Sequence, residues 1–245
     1  MRNHHRIVWC ALCIGLALGP GVTTVLGEAT SNSQATMDWP VSITGDIAWT
    51  SRESLSHAFA ANNMTSDVEE DILPGWGTMT DASASVIMAS GYAETTSNRL
   101  FEEVSAAFDA ATVSEAFADA GARRQGYFTA NSSGYVTVTA YYAIEQMLTT
   151  DMPGDIAEGH STAQLRLGNE SGWDVEYDSL DNTVMDGQDY VGGHDGWLTV
   201  ELWFDAGEIG FLENEVTNMA FAVPEPSCLL IMGAGLSMIM LRRRR

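Results

Sequence analysis

Residues 135–144 read YVTVTAYYAI, and this stretch decides the fold class. Its β-branched and aromatic residues suit a pleated surface. Apolar and polar side chains alternate with the period of two that one-sided burial of a strand requires. Residues 197–204, WLTVELWF, repeat the pattern after a glycine-rich entry at 192–196. Both stretches therefore predict strands with one face on a core.

Weaker alternation on either side of these strands predicts further strands at residues 41–49, 81–95, 162–167 and 215–223. Turn dipeptides separate the runs at Pro74-Gly75, Ser133-Gly134, Pro153-Gly154, Ser171-Gly172 and Asp186-Gly187. Short strands with frequent turns predict an all-β fold, a single antiparallel β-sandwich or jelly-roll-like ectodomain over residues 38–223.

Two segments do not follow this pattern. Residues 28–37 are polar and predict a flexible lead-in. In residues 98–112, Leu100, Val104, Phe108 and Ala111 have helical spacing, so helix and strand both stay open there. After Val113, alternating alanines favour strands.

Charge narrows the classes of partner. The chain has 33 acidic residues and no lysine. Residues 28–226 hold all the acidic residues and only five arginines, for a net charge near −28. A domain this acidic repels phosphate backbones, which argues against nucleic-acid binding.

The N-terminus predicts export. A basic start is followed by the 12-residue apolar run IVWCALCIGLAL at 7–18, then by Gly19, Pro20 and Gly21. This order is that of a signal peptide for the Sec machinery, spanning residues 1–27. Cys10, Cys13 and Cys228 all lie outside residues 28–223, so no disulfide is expected in the ectodomain.

The C-terminus, residues 224–245, reads PEPSCLLIMGAGLSMIMLRRRR. The prolines of Pro224-Glu225-Pro226 favour an extended tripeptide. The 15 apolar residues at 227–241 would form a helix of about 22 Å, short for a hydrocarbon core of about 30 Å. A cytoplasmic membrane stop follows, formed by Arg242, Arg243, Arg244 and Arg245.

This order of tripeptide, apolar segment and arginines resembles the PEP-CTERM sorting signal. The resemblance covers about 23 residues, including VPEPS at 223–227. It implies a Gram-negative exosortase-type membrane peptidase as partner, with recognition at Pro224-Glu225-Pro226. The precursor would be anchored in the inner membrane and then released to the cell envelope or the extracellular matrix, in species that make exopolysaccharide.

The ectodomain shows no catalytic motif, so it is expected to be non-enzymatic and to need no cofactor. The acidic segment 174–195 offers carboxylate oxygens of the kind that calcium binds. The candidates are Asp178, Asp181, Asp186 and Asp189. Aromatic residues near the same segment are candidate glycan contacts, namely Trp173, Tyr177, Tyr190 and Trp197.

The main interpretation is therefore an exported surface or matrix protein associated with exopolysaccharide. The alternative is a carbohydrate-binding module that is lectin-like and depends on calcium. A remote alternative is a secreted glycoside hydrolase, because paired carboxylates could perform that chemistry.

Overall fold

The computed structural model describes residues 28–109 and 115–224. The predicted signal peptide, Glu225, Pro226, the apolar segment and the arginine cluster lie outside the described residues. The described residues form thirteen strands: β1 (Glu28–Asp38), β2 (Ser42–Thr44), β3 (Ile47–Asn62), β4 (Ser66–Pro74), β5 (Thr80–Val86), β6 (Ala89–Thr95), β7 (Arg99–Asp109), β8 (Ala116–Ala130), β9 (Gly134–Thr150), β10 (Asp155–Asn169), β11 (Gly172–Met185), β12 (Asp189–Phe204) and β13 (Ile209–Pro224).

The strands form two antiparallel sheets that pack on a shared core, which confirms the all-β prediction. Sheet A has the order β12-β9-β1-β7-β6-β5, with β2 also paired to β9. Sheet B has the order β11-β10-β13-β8-β3-β4. This arrangement is consistent with a β-sandwich. Residues 28–109 and 115–224 contain no helix with the length and apolar character of a membrane span.

The strongest predicted strands lie side by side. Residues 135–144 belong to β9 and residues 197–204 to β12, and the two strands pair along their whole length, with Tyr141 opposite Trp197. On β9, Val136, Val138 and Ile144 are buried. The alternate residues Tyr135, Thr137, Thr139 and Tyr141 point to the opposite face of the sheet, as period-two alternation requires.

The prediction of a flexible lead-in at 28–37 is wrong. These residues form β1, which lies between β9 and β7 inside sheet A. Ala29, Ala35 and Met37 are fully buried, and the buried Ser31 hydroxyl donates a 2.6 Å hydrogen bond to the carbonyl of Glu158 in sheet B. Small polar residues resemble a loop in sequence, but here the Ser31 hydroxyl finds its partner in the opposite sheet.

Two predicted strands are divided. Residues 41–49 contribute to β2 in sheet A and β3 in sheet B, with Gly45 at a φ of 134° between them. Residues 81–95 form the hairpin of β5 and β6, which turns near Met88. A period of two cannot reveal a change of sheet when the strands on both sides keep the same alternation.

The open segment 98–112 contains a strand. Residues 99–109 form β7, and Leu100, Val104 and Phe108 all face the core. A spacing of four is also a multiple of two, so Leu100, Val104 and Phe108 share one face of a strand as well as of a helix. Ala111, the fourth residue of the helical pattern, lies outside the described residues.

The two sheets lie close together where buried alanines line the space between them. The inner faces of β5, β6 and β8 are rich in buried alanines, among them Ala82, Ala93, Ala118 and Ala120. A Cβ added to Gly91 on β6 would lie only 2.8 Å from the carbonyl oxygen of Asp119 on β8. The two backbones therefore nearly touch, and only glycine fits at position 91.

Two residues with ionisable side chains are fully buried in the core. Glu102 on β7 and Arg124 on β8 each have an exposed fraction of 0%. The Arg124 guanidinium stacks 4.6 Å from the Trp39 ring centroid and donates a 2.6 Å hydrogen bond to the Thr96 carbonyl. Burial lowers the pKa of Arg124 to about 10. Neither carboxyl oxygen of Glu102 has a hydrogen-bond partner among the described residues.

Candidate functional site

The outward side chains of β9 and β12 form an exposed surface on sheet A, which we call the β9–β12 face. The strand register places Tyr135 opposite Trp203 and Tyr141 opposite Trp197. In both pairs the rings are T-shaped, with centroids 5.2 Å apart. Because six residues separate Tyr135 from Tyr141, the pairs are about 20 Å apart along the strands.

Polar groups fill the interval between the aromatic pairs. These are the cross-strand pairs Thr137–Glu201 and Thr139–Thr199. The Thr137 hydroxyl donates a 2.8 Å hydrogen bond to the Glu201 carboxylate. Beside the second aromatic pair, the Tyr141 hydroxyl donates to the Asp195 carboxylate, and that hydrogen bond raises the pKa of Tyr141. The polar groups are thus held in place between two aromatic anchors.

The aromatic rings of the β9–β12 face remain open to solvent. The exposed fraction is 61% for Tyr135, 65% for Trp197 and 49% for Trp203. Large aromatic side chains usually bury most of their area in a core. Three rings exposed along one sheet face are therefore available for a ligand.

A groove of about 680 Å³ continues from Tyr141 across sheet A. Its walls come from β1, β7, β9 and β12. The groups along it that can form hydrogen bonds include Asn32, Gln34, Glu103, Glu145 and Asp195. The groove thus joins carboxylates and amides to the aromatic face.

Gly193 shapes the groove. It lies opposite Glu145 on β9, and a Cβ there would be 2.4 Å from the carbonyl oxygen of Ile144. No larger residue fits without a backbone shift, so the absence of a side chain keeps a depression between Val191 and Asp195.

The four predicted glycan contacts do not come together. Trp197 belongs to the β9–β12 face, but Trp173 and Tyr177 are exposed on the outer side of sheet B. Tyr190 packs against the core. Trp173 is engaged locally, because the Arg166 guanidinium lies 3.8 Å from its ring centroid. The aromatic surface is instead completed by residues of β9 and β12 that the sequence reasoning did not select as contacts.

The predicted calcium ligands are also dispersed. Asp178 and Asp181 point to opposite sides of β11, where Asp181 contacts His160. Asp186 lies in the turn after β11 and accepts a 2.9 Å hydrogen bond from the Gly154 amide, while Asp189 begins β12. Within residues 28–109 and 115–224, no three His, Cys, Asp or Glu side chains are grouped to hold a metal ion.

Asp178 serves an internal contact. Its carboxylate accepts hydrogen bonds from the Tyr142 hydroxyl and the Ser179 amide, and His194 Nε2 lies 2.9 Å from it. Burial acts to raise the pKa of Asp178, but these hydrogen bonds and the charge of His194 outweigh it and lower that pKa. This cluster joins β9, β11 and β12 at one side of the sandwich.

The sequence reasoning missed most of the β9–β12 face. Tyr135, Tyr141 and Trp203 carry a usable signal, because each lies in a predicted strand at the same parity as its exposed neighbours. No such signal marks Asn32 and Gln34, because their polar segment predicts a flexible lead-in. No family model matches the chain, and a search of curated proteins also found no match.

Proposed function

We propose that this chain is an exported envelope protein that an exosortase-type peptidase sorts through its C-terminal tail. The order of tripeptide, apolar segment and terminal arginines carries this proposal. The last strand, β13, ends at Pro224, which is the first residue of the tripeptide. Glu225 and Pro226 follow directly in sequence, and we expect the tripeptide to enter the peptidase cleft as an extended peptide.

The composition of the ectodomain supports the same proposal. Residues 28–223 contain no cysteine, so the fold does not depend on the redox state of its compartment. Its surplus of carboxylates keeps it hydrated among polysaccharides. The assigned role is structural and non-enzymatic.

Replacing Pro224-Glu225-Pro226 with three alanines tests the sorting proposal. The variant should stay at full length in the inner membrane, because the tripeptide is the recognition element. Pro153→Ala, a proline substitution in a turn outside the tail, is the control and should be processed normally. Fractionation and the mass of the mature chain are the measurements. Normal processing of the alanine variant would refute the proposal.

A second candidate function, carbohydrate binding, is favoured by the β9–β12 face. Sugar rings stack on exposed aromatic rings through their apolar faces, while their hydroxyl groups bind carboxylates and amides. The spacing of about 20 Å between the aromatic pairs suits an extended polysaccharide better than a single sugar. Glu201, Thr139 and Thr199 lie between the pairs to contact the hydroxyl groups.

Isothermal titration with exopolysaccharide from the source organism tests this second function. Trp197→Ala and Trp203→Ala should each weaken binding about tenfold or more, as loss of a central aromatic anchor does. Trp173→Ala is the matched control, because Trp173 is similarly exposed but lies on sheet B. Equal losses in all three variants, or no binding by the native chain, would refute the assignment. Recovery of intact polysaccharide separates binding from hydrolysis.

A further inference from the structure

Sheet A ends in two edge strands, β5 on one side and β12 on the other. Every second backbone N–H of an edge strand points away from the sheet. Such a row of donors is a template for pairing with a strand of another molecule. At both edges of sheet A, carboxylates from sheet B accept hydrogen bonds from these outward amides.

On the β5 side, acidic side chains of β4 in the other sheet reach the edge donors. The amides of Ser85, Ser83 and Asp81 donate to the carboxylates of Asp67, Glu69 and Asp71, respectively, at 2.9, 2.8 and 3.4 Å. Both sets of residues are spaced by two, so the carboxylates come from one face of β4 and the amides all lie along the free edge of β5. The three contacts form one continuous row.

On the β12 side, β11 provides the same contacts. The Glu201 amide donates a 2.7 Å hydrogen bond to Asp174, and the Thr199 amide donates to Glu176. These carboxylates again differ by two positions and again come from the edge strand of sheet B. Carboxylates from two segments that are far apart in sequence therefore cover the two edges of sheet A in the same way.

We propose that these side chains act as edge caps that prevent sheet A from pairing with a second copy of the chain. The edge caps are Asp67, Glu69, Asp71, Asp174 and Glu176. Each cap occupies a donor that an incoming strand needs. Each also places a negative charge where the equally acidic edge of another copy would approach.

The molecule that the edge caps would keep from pairing with sheet A is a second copy of the chain. β12 extends over 16 residues, and an edge of that length can pair in antiparallel fashion with itself across a two-fold axis. The outward side chains of β12 include Val191, Trp197 and Trp203, which are exposed and suit a sheet surface. Removal of the caps would free β12 for such pairing, and it would equally free β5, where three amides in one row are capped.

The test replaces the caps of β4 by threonine, a strand-forming residue, in the triple variant Asp67→Thr, Glu69→Thr and Asp71→Thr. The control removes the same charge from outward positions, with Glu70→Thr, Glu103→Thr and Glu145→Thr. Sedimentation velocity of the purified full chain at pH 7 should show a monomer for the native protein and the control, and dimers or larger species for the cap variant. A monomeric cap variant, or equal association of the control, would overturn the proposal.

Amide hydrogen exchange tests the caps in the native chain as well. The Ser83 and Ser85 amides should exchange more slowly than free-chain amides, although β5 is an edge strand. The single change Glu69→Thr should accelerate exchange at Ser83 about tenfold, because it removes one hydrogen bond to a charged group. Free-chain rates at Ser83 in the native protein would overturn the proposal even if the triple variant did not fold.

Discussion

Glu102 should make the protein less stable as the pH rises, and Glu102→Gln should remove that effect. The side chain is fully buried, and burial raises its pKa well above the ordinary value of 4.5, with the nearby carboxylates of Asp119 and Glu215 adding to the shift. The unfolded chain therefore loses this proton near pH 4.5, while the folded chain keeps it to higher pH.

The direction and size of this change in stability with pH follow from the difference in the number of protons bound by the folded and the unfolded chain. Between the unfolded and folded pKa values, the native state holds one more proton than the unfolded state, so the free energy of unfolding falls as the pH rises. One proton corresponds to a slope of about 1.4 kcal/mol per pH unit. For a domain of this size that slope equals a change in Tm of roughly 3–6 °C per pH unit.

Urea denaturation at pH 5, 6 and 7 measures the effect. Glutamine does not ionise, so the difference in stability between Glu102→Gln and the native protein should grow with pH at about this slope until the pH reaches the folded-state pKa of Glu102. All other titrating groups are common to both proteins and cancel. Glu103→Gln is the matched control for the substitution itself, because Glu103 is adjacent but lies on the outer face. Parallel profiles for Glu102→Gln would refute the assignment of Glu102 as a buried carboxyl that stays protonated.

Two further substitutions test the core. Gly91→Ala should lower the free energy of unfolding by about 1–3 kcal/mol, since a Cβ overpacks two backbones that already touch; Gly77→Ala, where nothing lies within 4 Å, should have little effect in the same urea titration. Arg124→Ala should cost about 2–5 kcal/mol by leaving a cavity beside Trp39, and Arg123→Ala, on the outer face, about 1 kcal/mol or less. A reversed order within either pair in thermal melts would contradict the placement of these side chains.

Much of the fold could be predicted from sequence. The alternation at 135–144 and 197–204 predicted β9 and β12, because a strand that buries one face repeats every two residues whatever its neighbours are. The wrong prediction falls on a segment without clear alternation of apolar and polar residues. In β1 the buried Ser31 hydroxyl bonds to a carbonyl of the opposite sheet, and this only becomes visible when that sheet is in place.

The candidate site could be predicted only in fragments. Trp197 was selected from its segment, but its partner Tyr141 lies on another strand and is brought beside it by register. Trp173 was selected with Trp197 because the two are close in sequence, yet they lie on different sheets. Proximity along the chain is a poor guide in a sandwich, where consecutive strands such as β11 and β12 belong to opposite layers.

The sequence by itself determined the all-β class of the fold, the acidic character of residues 28–223 and the order of features in residues 224–245, because each is a local or summed property of the residues. Only the tertiary structure decided which acid of the pair Glu102 and Glu103 is buried, which amides Asp67 and Asp174 cap, and which aromatic rings share a surface. Those outcomes depend on strand register and on contacts between distant segments, and a shift of one residue would exchange the two faces of every strand.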